Sequence, residues 1–186
     1  MHGRRGATIA MGCALAVGGT SALAATVVRP GARSNPVPIR QEASVRENWL
    51  MKVVSVTPRA DDLVRRASKG SQRARVPAGK QDYLVRLSVM YVGSGRGALG
   101  DLLDYVETIS HGTLYDSVAN GCPGTWPSPS FQDAGHLNRT VIPSTWHAGN
   151  LCYLVASKHA RSLRMFVYPI YPPSTEVSRT MWFALR

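Results

Sequence analysis

The sequence is short of cysteine and of acidic residues. Its 186 residues include three cysteines, and 11 Asp and Glu stand against 22 Lys and Arg. Beyond residues 7–28 there is no apolar stretch long enough to cross a bilayer, and no internal repeat is apparent. These shortages exclude a second membrane span and a repeat array.

The N-terminal segment, residues 1–24, has the pattern of a secretory signal peptide. Two arginines precede an apolar run at residues 7–17, and an Ala-Leu-Ala box ends at Ala24, after which we expect cleavage. The alternative is an uncleaved membrane anchor over residues 7–28. A lipid anchor at Cys13 is disfavoured, because the Leu usually found three residues before a lipidated cysteine is missing. The pattern favours a secreted protein, with membrane anchoring as the alternative.

Two regions follow the predicted signal peptide. Residues 25–45 hold several prolines and no apolar periodicity, so we interpret them as a flexible tether that buries too little surface to fold. Residues 46–186 are long enough for one domain with its own core. Without the signal peptide the chain keeps 20 basic and 11 acidic residues, a net charge of +9.

Two cysteines remain after cleavage, Cys122 and Cys152. In an exported chain an even number of cysteines predicts a disulfide. Closing a loop of about 30 residues stabilises a fold by about 3.5–4 kcal/mol in the chain-entropy model. The sequence therefore predicts one structural disulfide and leaves no free thiol for catalysis.

A long basic connection lies between residues 59 and 80. It contains seven basic residues and only two acidic ones. Two interpretations stay open: a solvated loop, or a surface that binds an anionic cell-wall polymer or lipid headgroup. No nucleic-acid recognition motif accompanies it. The basic residues are Arg59, Arg65, Arg66, Lys69, Arg73, Arg75 and Lys80.

The clearest strand covers residues 82–92. Its odd-numbered positions are all apolar or aromatic, whereas the even-numbered positions include Arg86 and Ser88. This alternation is typical of a sheet that packs on one face, so we expect the odd-numbered face to contact the core. Several further short runs with turn residues between them predict seven to nine strands in an all-β antiparallel sandwich.

Catalytic patterns are scarce. The histidines at positions 111, 136, 147 and 159 have no metal-ligand spacing, and no G-x-S-x-G motif is present. A G-x-G-x-x-G match at residues 95–100 lacks the alternating strands and helices of a dinucleotide-binding fold. We therefore predict no catalytic residue, cofactor or metal.

Two tryptophans, Trp126 and Trp146, fall in predicted loops inside the disulfide-closed segment. They are candidates for an aromatic contact with a protein or a carbohydrate, and packing over the disulfide is the alternative. The Pro-rich residues 122–130 also suggest the inhibitory loop of an exported protease inhibitor.

Two segments resemble a known family. Residues 79–93 (GKQDYLVRLSVMYVG) and residues 149–155 (GNLCYLV) are similar to strands of the exported immunoglobulin-like domains of unknown function in Gram-positive bacteria, many of them secreted antigens or lipoproteins. In that family the second segment follows Pro-Gly, whereas this chain has Ala148-Gly149. The resemblance implies an immunoglobulin-like sandwich that serves as a binding or structural module, and it carries over no functional residue.

The function expected from the sequence is a secreted, non-enzymatic binding or structural module of the bacterial cell envelope. Its partner is unknown, with an extracellular protein or an anionic cell-wall polymer as candidates. The alternatives are a small secreted hydrolase with a site not visible in the sequence, and the protease inhibitor.

Overall fold

The computed structural model describes residues 31–46, 48–68, 76–103, 106–116, 122, 130–131, 139–168 and 180–186. The elements found there are β1 (Ala43–Arg46), β2 (Trp49–Thr57), α1 (Asp61–Ala67), β3 (Lys80–Tyr91), β4 (Gly97–Ala98), α2 (Gly100–Leu103), β5 (Val106–Ser110), β6 (Thr113–Asp116), β7 (Thr140–Val141), β8 (Trp146–Ala156), a 3₁₀ turn (Ala160–Ser162), β9 (Arg164–Val167) and β10 (Met181–Ala184). Within these ranges, no helix is both long and apolar enough to span a membrane.

Two four-stranded sheets make up the fold. The first sheet has the order β1-β2-β3-β8, the second has the order β10-β9-β5-β6, and β4 pairs with β7 separately. All these strand pairs are antiparallel. Side chains from both four-stranded sheets share one hydrophobic core. The predicted all-β antiparallel sandwich is confirmed.

Strand β3 lies between β2 and β8 and supplies the centre of the core. Tyr83 is 3% exposed, and Val85, Leu87 and Val89 are fully buried. The register predicted from the alternation is therefore confirmed. In β2 the pairing shifts between Val53 and Ser55, so that Val56 pairs with Val85 and packs against the core.

The opposite face of the first sheet carries a second, smaller cluster. Ala60 and Val64 belong to α1 and the turn before it, and they pack with Leu84 and the two cysteines. Cys122 and Cys152 are bonded, with their Cα atoms 5.4 Å apart. The predicted disulfide is confirmed, and it lies on the helix-covered face of the sheet.

The predicted tether at residues 25–45 is corrected for its described part, residues 31–45. Val37 is 1% exposed and pairs with Phe183 of β10. The Val37 N–H donates to the carbonyl of Trp182, and the Val37 carbonyl accepts from the N–H of Ala184. The prolines on either side of Val37 have no N–H, so this edge pairing is limited to one residue. The folded domain thus includes residues before Arg46, whereas residues 25–30 and the predicted signal peptide lie outside the described residues.

Candidate functional site

A groove of about 630 Å³ opens at one end of the sandwich. It lies where β2 and β8 end, where β3 begins and beyond the end of β10, so both sheets contribute to it. We call it the end groove. It is lined by Val56, Pro58, Arg59, Gln81, Tyr83, Ser157, Ala160, Arg161, Leu185 and Arg186.

The floor of the end groove is formed by residues of the hydrophobic core at this end of the sandwich. Tyr83 and Leu185 are core members, and Val56 and Ala160 pack against that core. The Tyr83 hydroxyl donates to the Leu185 carbonyl over 3.1 Å and so links the two sheets. Burial raises the pKa of Tyr83 to about 12, and the nearby charge of Arg186 opposes this rise. The Tyr83 hydroxyl is therefore protonated near neutral pH, and the Arg186 guanidinium lies near the floor of the groove.

One wall of the end groove is the turn after β8, residues 157–162. Its carbonyl at His159 accepts hydrogen bonds from the hydroxyls of Ser110 and Ser162, each over 3.2 Å. The His159 ring Nδ1 lies 2.7 Å from the Tyr115 hydroxyl. These contacts fix the turn on β5 and β6 and so position the backbone of Ala160 and Arg161.

Three arginines surround the apolar floor: Arg59, Arg161 and Arg186, all exposed. Arg59 has a φ of 53°, a left-handed conformation that costs a non-glycine residue roughly 1–3 kcal/mol. The next residue is held by the Ala60 N–H, which donates to the Asp82 carbonyl over 2.8 Å. This hydrogen bond and the packing of Ala60 hold the backbone that carries Arg59 in the groove lining.

The composition of the end groove suits binding of an anion. The described lining residues include three guanidinium groups and no acidic side chain. Guanidinium groups bind carboxylate and phosphate through paired N–H donors. Three like charges around one groove repel each other, and a bound anion relieves that repulsion. The volume also falls in the range of about 300–1,000 Å³ that is usual for small-molecule sites.

The structure separates the residues of the predicted basic connection. Arg59 lines the end groove, Arg65 and Arg66 lie in the last turn of α1, and Lys80 begins β3. Arg65 pairs with Asp62 at 2.6 Å on the exposed face of the helix, where such a pair contributes little stability. The other three basic residues, Lys69, Arg73 and Arg75, lie outside the described residues. The connection is therefore partly an ordered helix, and only Arg59 of its described cations reaches the groove.

The two candidate tryptophans have different outcomes. Trp146 is the first residue of β8, so its placement in a loop was wrong. Its ring is half-buried, and Lys52 Nζ lies 3.8 Å from the ring centroid, which makes a cation–π contact on the outer face of the first sheet. Trp126 and residues 123–129 of the suggested inhibitory loop lie outside the described residues.

The described histidines are His111, His147 and His159. The two serine hydroxyls near His159 bond its main-chain carbonyl, whereas its ring contacts Tyr115. Burial, together with the charge of Arg139, lowers the pKa of His147. In the part of the chain that the structure describes, no three His, Cys, Asp or Glu side chains are grouped as metal ligands.

Sequence reasoning found Arg59 but missed Arg161, Arg186 and Tyr83 as groove residues. Arg161 and Arg186 stand about 100 or more positions from Arg59, and no local pattern links them to it. Tyr83 was predicted only as a core residue. The strand pairing of the two sheets brings these positions to one end of the molecule.

No family model and no curated protein matches the chain. Two solved structures are similar to it, both of proteins from Bacillus subtilis. One is ycdA, described as a candidate lipoprotein, with 14% identity and a TM-score of 0.47; the match covers 76% of this chain and 37% of ycdA. The other is yjhA, with 7% identity and a TM-score of 0.46; the match covers 78% of this chain and 97% of yjhA. Membership of the immunoglobulin-like family therefore stays a prediction.

Proposed function

We propose that this protein is a secreted, non-enzymatic binding module of the bacterial cell envelope, and that it binds an anionic ligand in the end groove. The observation that carries the proposal is the meeting of Arg59, Arg161 and Arg186 around one apolar floor. The net charge of +9 on the chain after cleavage at Ala24 favours encounter with anions as well.

Export is supported by the disulfide and by the signal-like residues 1–24. Structural disulfides persist mainly in oxidising compartments outside the cytoplasm. Expression of the full chain in an exporting Gram-positive host tests this step. We expect protein in the culture medium whose N-terminal sequence begins at Ala25, and recovery only from membranes with residues 1–24 intact would contradict secretion.

Binding is tested by isothermal titration calorimetry on the exported protein with inorganic phosphate, glycerol phosphate and decanoate. We expect at least one of these anions to bind with a Kd below about 1 mM. The variant Arg59→Gln/Arg161→Gln should weaken that binding at least tenfold, because it removes two of the three cations around the groove.

The matched control is Arg65→Gln/Arg66→Gln, which removes the same amount of charge from the exposed end of α1. This variant should bind as the parent does. Loss of binding in the control alone would place the anion site on the basic connection. Absence of binding to every probe would overturn the proposal.

A further inference from the structure

We infer that the ligand of the end groove is an amphiphilic anion, with an apolar chain or an equivalent apolar body that ends in one carboxylate or phosphate group. This inference rests on the proposed function and specifies its ligand class. Its basis is the division of the groove into an apolar floor and a cationic rim.

The apolar floor is continuous with the sandwich core. Val56 reaches it because the bulge in β2 places this residue, and not Ser55, opposite Val85. Leu185 and the Tyr83 ring close the floor, and both are 3% exposed. Tyr83 already donates its hydroxyl to the Leu185 carbonyl, so this polar group is satisfied without a ligand. The apolar surface still exposed in the groove belongs to Val56 and Ala160, which are half-buried, and to Pro58, which is exposed. A small hydrophilic anion would leave this surface in contact with water, whereas an apolar body would cover it.

The cationic rim fixes the orientation of such a ligand. The side chains of Arg59 and Arg161 come from the turns after β2 and β8, and both are exposed at the mouth. The anionic group would bind these guanidiniums, and the apolar body would extend towards Val56 and Leu185. The turn that carries Arg161 is held in place by the Ser110 and Ser162 hydroxyls, so little ordering is required on binding.

The test is a chain-length series with one head group: butanoate, hexanoate, octanoate and decanoate, each below its critical micelle concentration, titrated into the exported protein. Each methylene that enters the groove should tighten binding about fourfold, the factor that corresponds to about 0.8 kcal/mol per buried CH₂. Comparison of decyl phosphate with decanoate shows whether a phosphate or a carboxylate head group binds more tightly. Decyltrimethylammonium, which has the same chain and the opposite charge, should bind at least tenfold more weakly than decanoate.

Two variants and one control distinguish the contribution of the floor from that of the rim. Ala160→Leu reduces the apolar space and should weaken the binding of decanoate more than that of phosphate or butanoate. Arg59→Gln/Arg161→Gln should weaken every anion, and Arg65→Gln/Arg66→Gln should weaken none. A thermal melt of each variant verifies folding, and the chain-length series on the parent protein does not depend on any variant.

The results distinguish the two proposals. Equal affinity for butanoate and decanoate, with loss in the rim variant, would overturn the amphiphile and leave the anion-binding function intact. Equal affinity for decanoate and decyltrimethylammonium would also overturn the inference. Absence of binding to all anions would overturn both.

Discussion

The buried hydroxyl of Tyr153 allows a test of the core by substitution of a single residue. Tyr153 is fully buried, and its hydroxyl has no hydrogen-bond partner within the described ranges. A buried polar group without a partner costs about 1–3 kcal/mol. We expect Tyr153→Phe to leave the free energy of unfolding in urea unchanged or to raise it by about 1 kcal/mol.

The matched control for that substitution is Tyr83→Phe. It also removes one phenolic oxygen, but that oxygen donates to the Leu185 carbonyl. Its loss should lower the free energy of unfolding by about 1 kcal/mol. Equal destabilisation by the two variants would mean that Tyr153 is hydrogen-bonded in solution.

Single residues also show what the sequence predicts about the site. The disulfide was predicted from the export signal and from the even number of cysteines left after cleavage. Neither observation requires knowledge of the fold. Arg59 was identified because it belongs to a dense basic segment. Arg161 and Arg186 were not identified, because they join Arg59 at one groove only in the folded protein. The density of charge along the sequence gives no information about that proximity.

Strand β3 is the element whose register is most open to test. Leu87 is fully buried in the shared core, whereas Ser88 lies on the opposite face and is 5% exposed. Leu87→Ala should lower the free energy of unfolding by about 2–5 kcal/mol. Ser88→Ala should lower it by less than about 1 kcal/mol, because it removes little volume. A larger loss for Ser88 would indicate that the register is shifted by one residue.

The disulfide joins β8 to the cluster beneath α1, and its removal tests that unit. The variant Cys122→Ala/Cys152→Ala releases a loop of 30 residues, for which the chain-entropy model gives a loss of about 3.5–4 kcal/mol. This is a large part of the about 5–15 kcal/mol that stabilises a typical domain. We expect a much lower urea midpoint, and an unchanged midpoint would contradict a structural role.

Elements differ in how well their patterns predict them. β3 was predicted closely because its odd-numbered face is apolar or aromatic throughout residues 83–91, whereas its even-numbered face, although also largely buried, includes Asp82, Arg86 and Ser88. The contact of Val37 was missed because this residue pairs alone between two prolines, and one residue has no period. Trp146 was placed in a loop because β8 begins before its apolar run, where it includes Ala148 and Gly149.

At the scale of the whole molecule, alkaline pH should destabilise the protein. Burial raises the pKa of Tyr83 to about 12, raises that of Tyr168 to about 12 with a further contribution from Glu107, and raises that of Tyr153 as well. An unfolded tyrosine has a pKa of about 10. Between these values the folded state binds more protons than the unfolded state, so stability falls as pH rises.

Thermal melts check this prediction. We expect the tyrosines to have no effect on Tm below about pH 9, and Tm to fall progressively above about pH 10. The double variant Tyr83→Phe/Tyr153→Phe should show a shallower fall than the parent over the same range. Equal slopes would indicate that other groups control alkaline unfolding.

The pairing of β3 with β8 also determines when the chain can fold during its synthesis. The paired residues are far apart in sequence: Met90 pairs with Trp146, and Lys80 pairs with Ala156. The separation in sequence is larger still for Val37, because its partner is Phe183. Loops of this length make folding slow, because their closure precedes the contacts that stabilise it. A nascent chain therefore cannot complete the pairing of β3 with β8 before Ala156 has been made, nor the Val37 contact before Phe183 has been made.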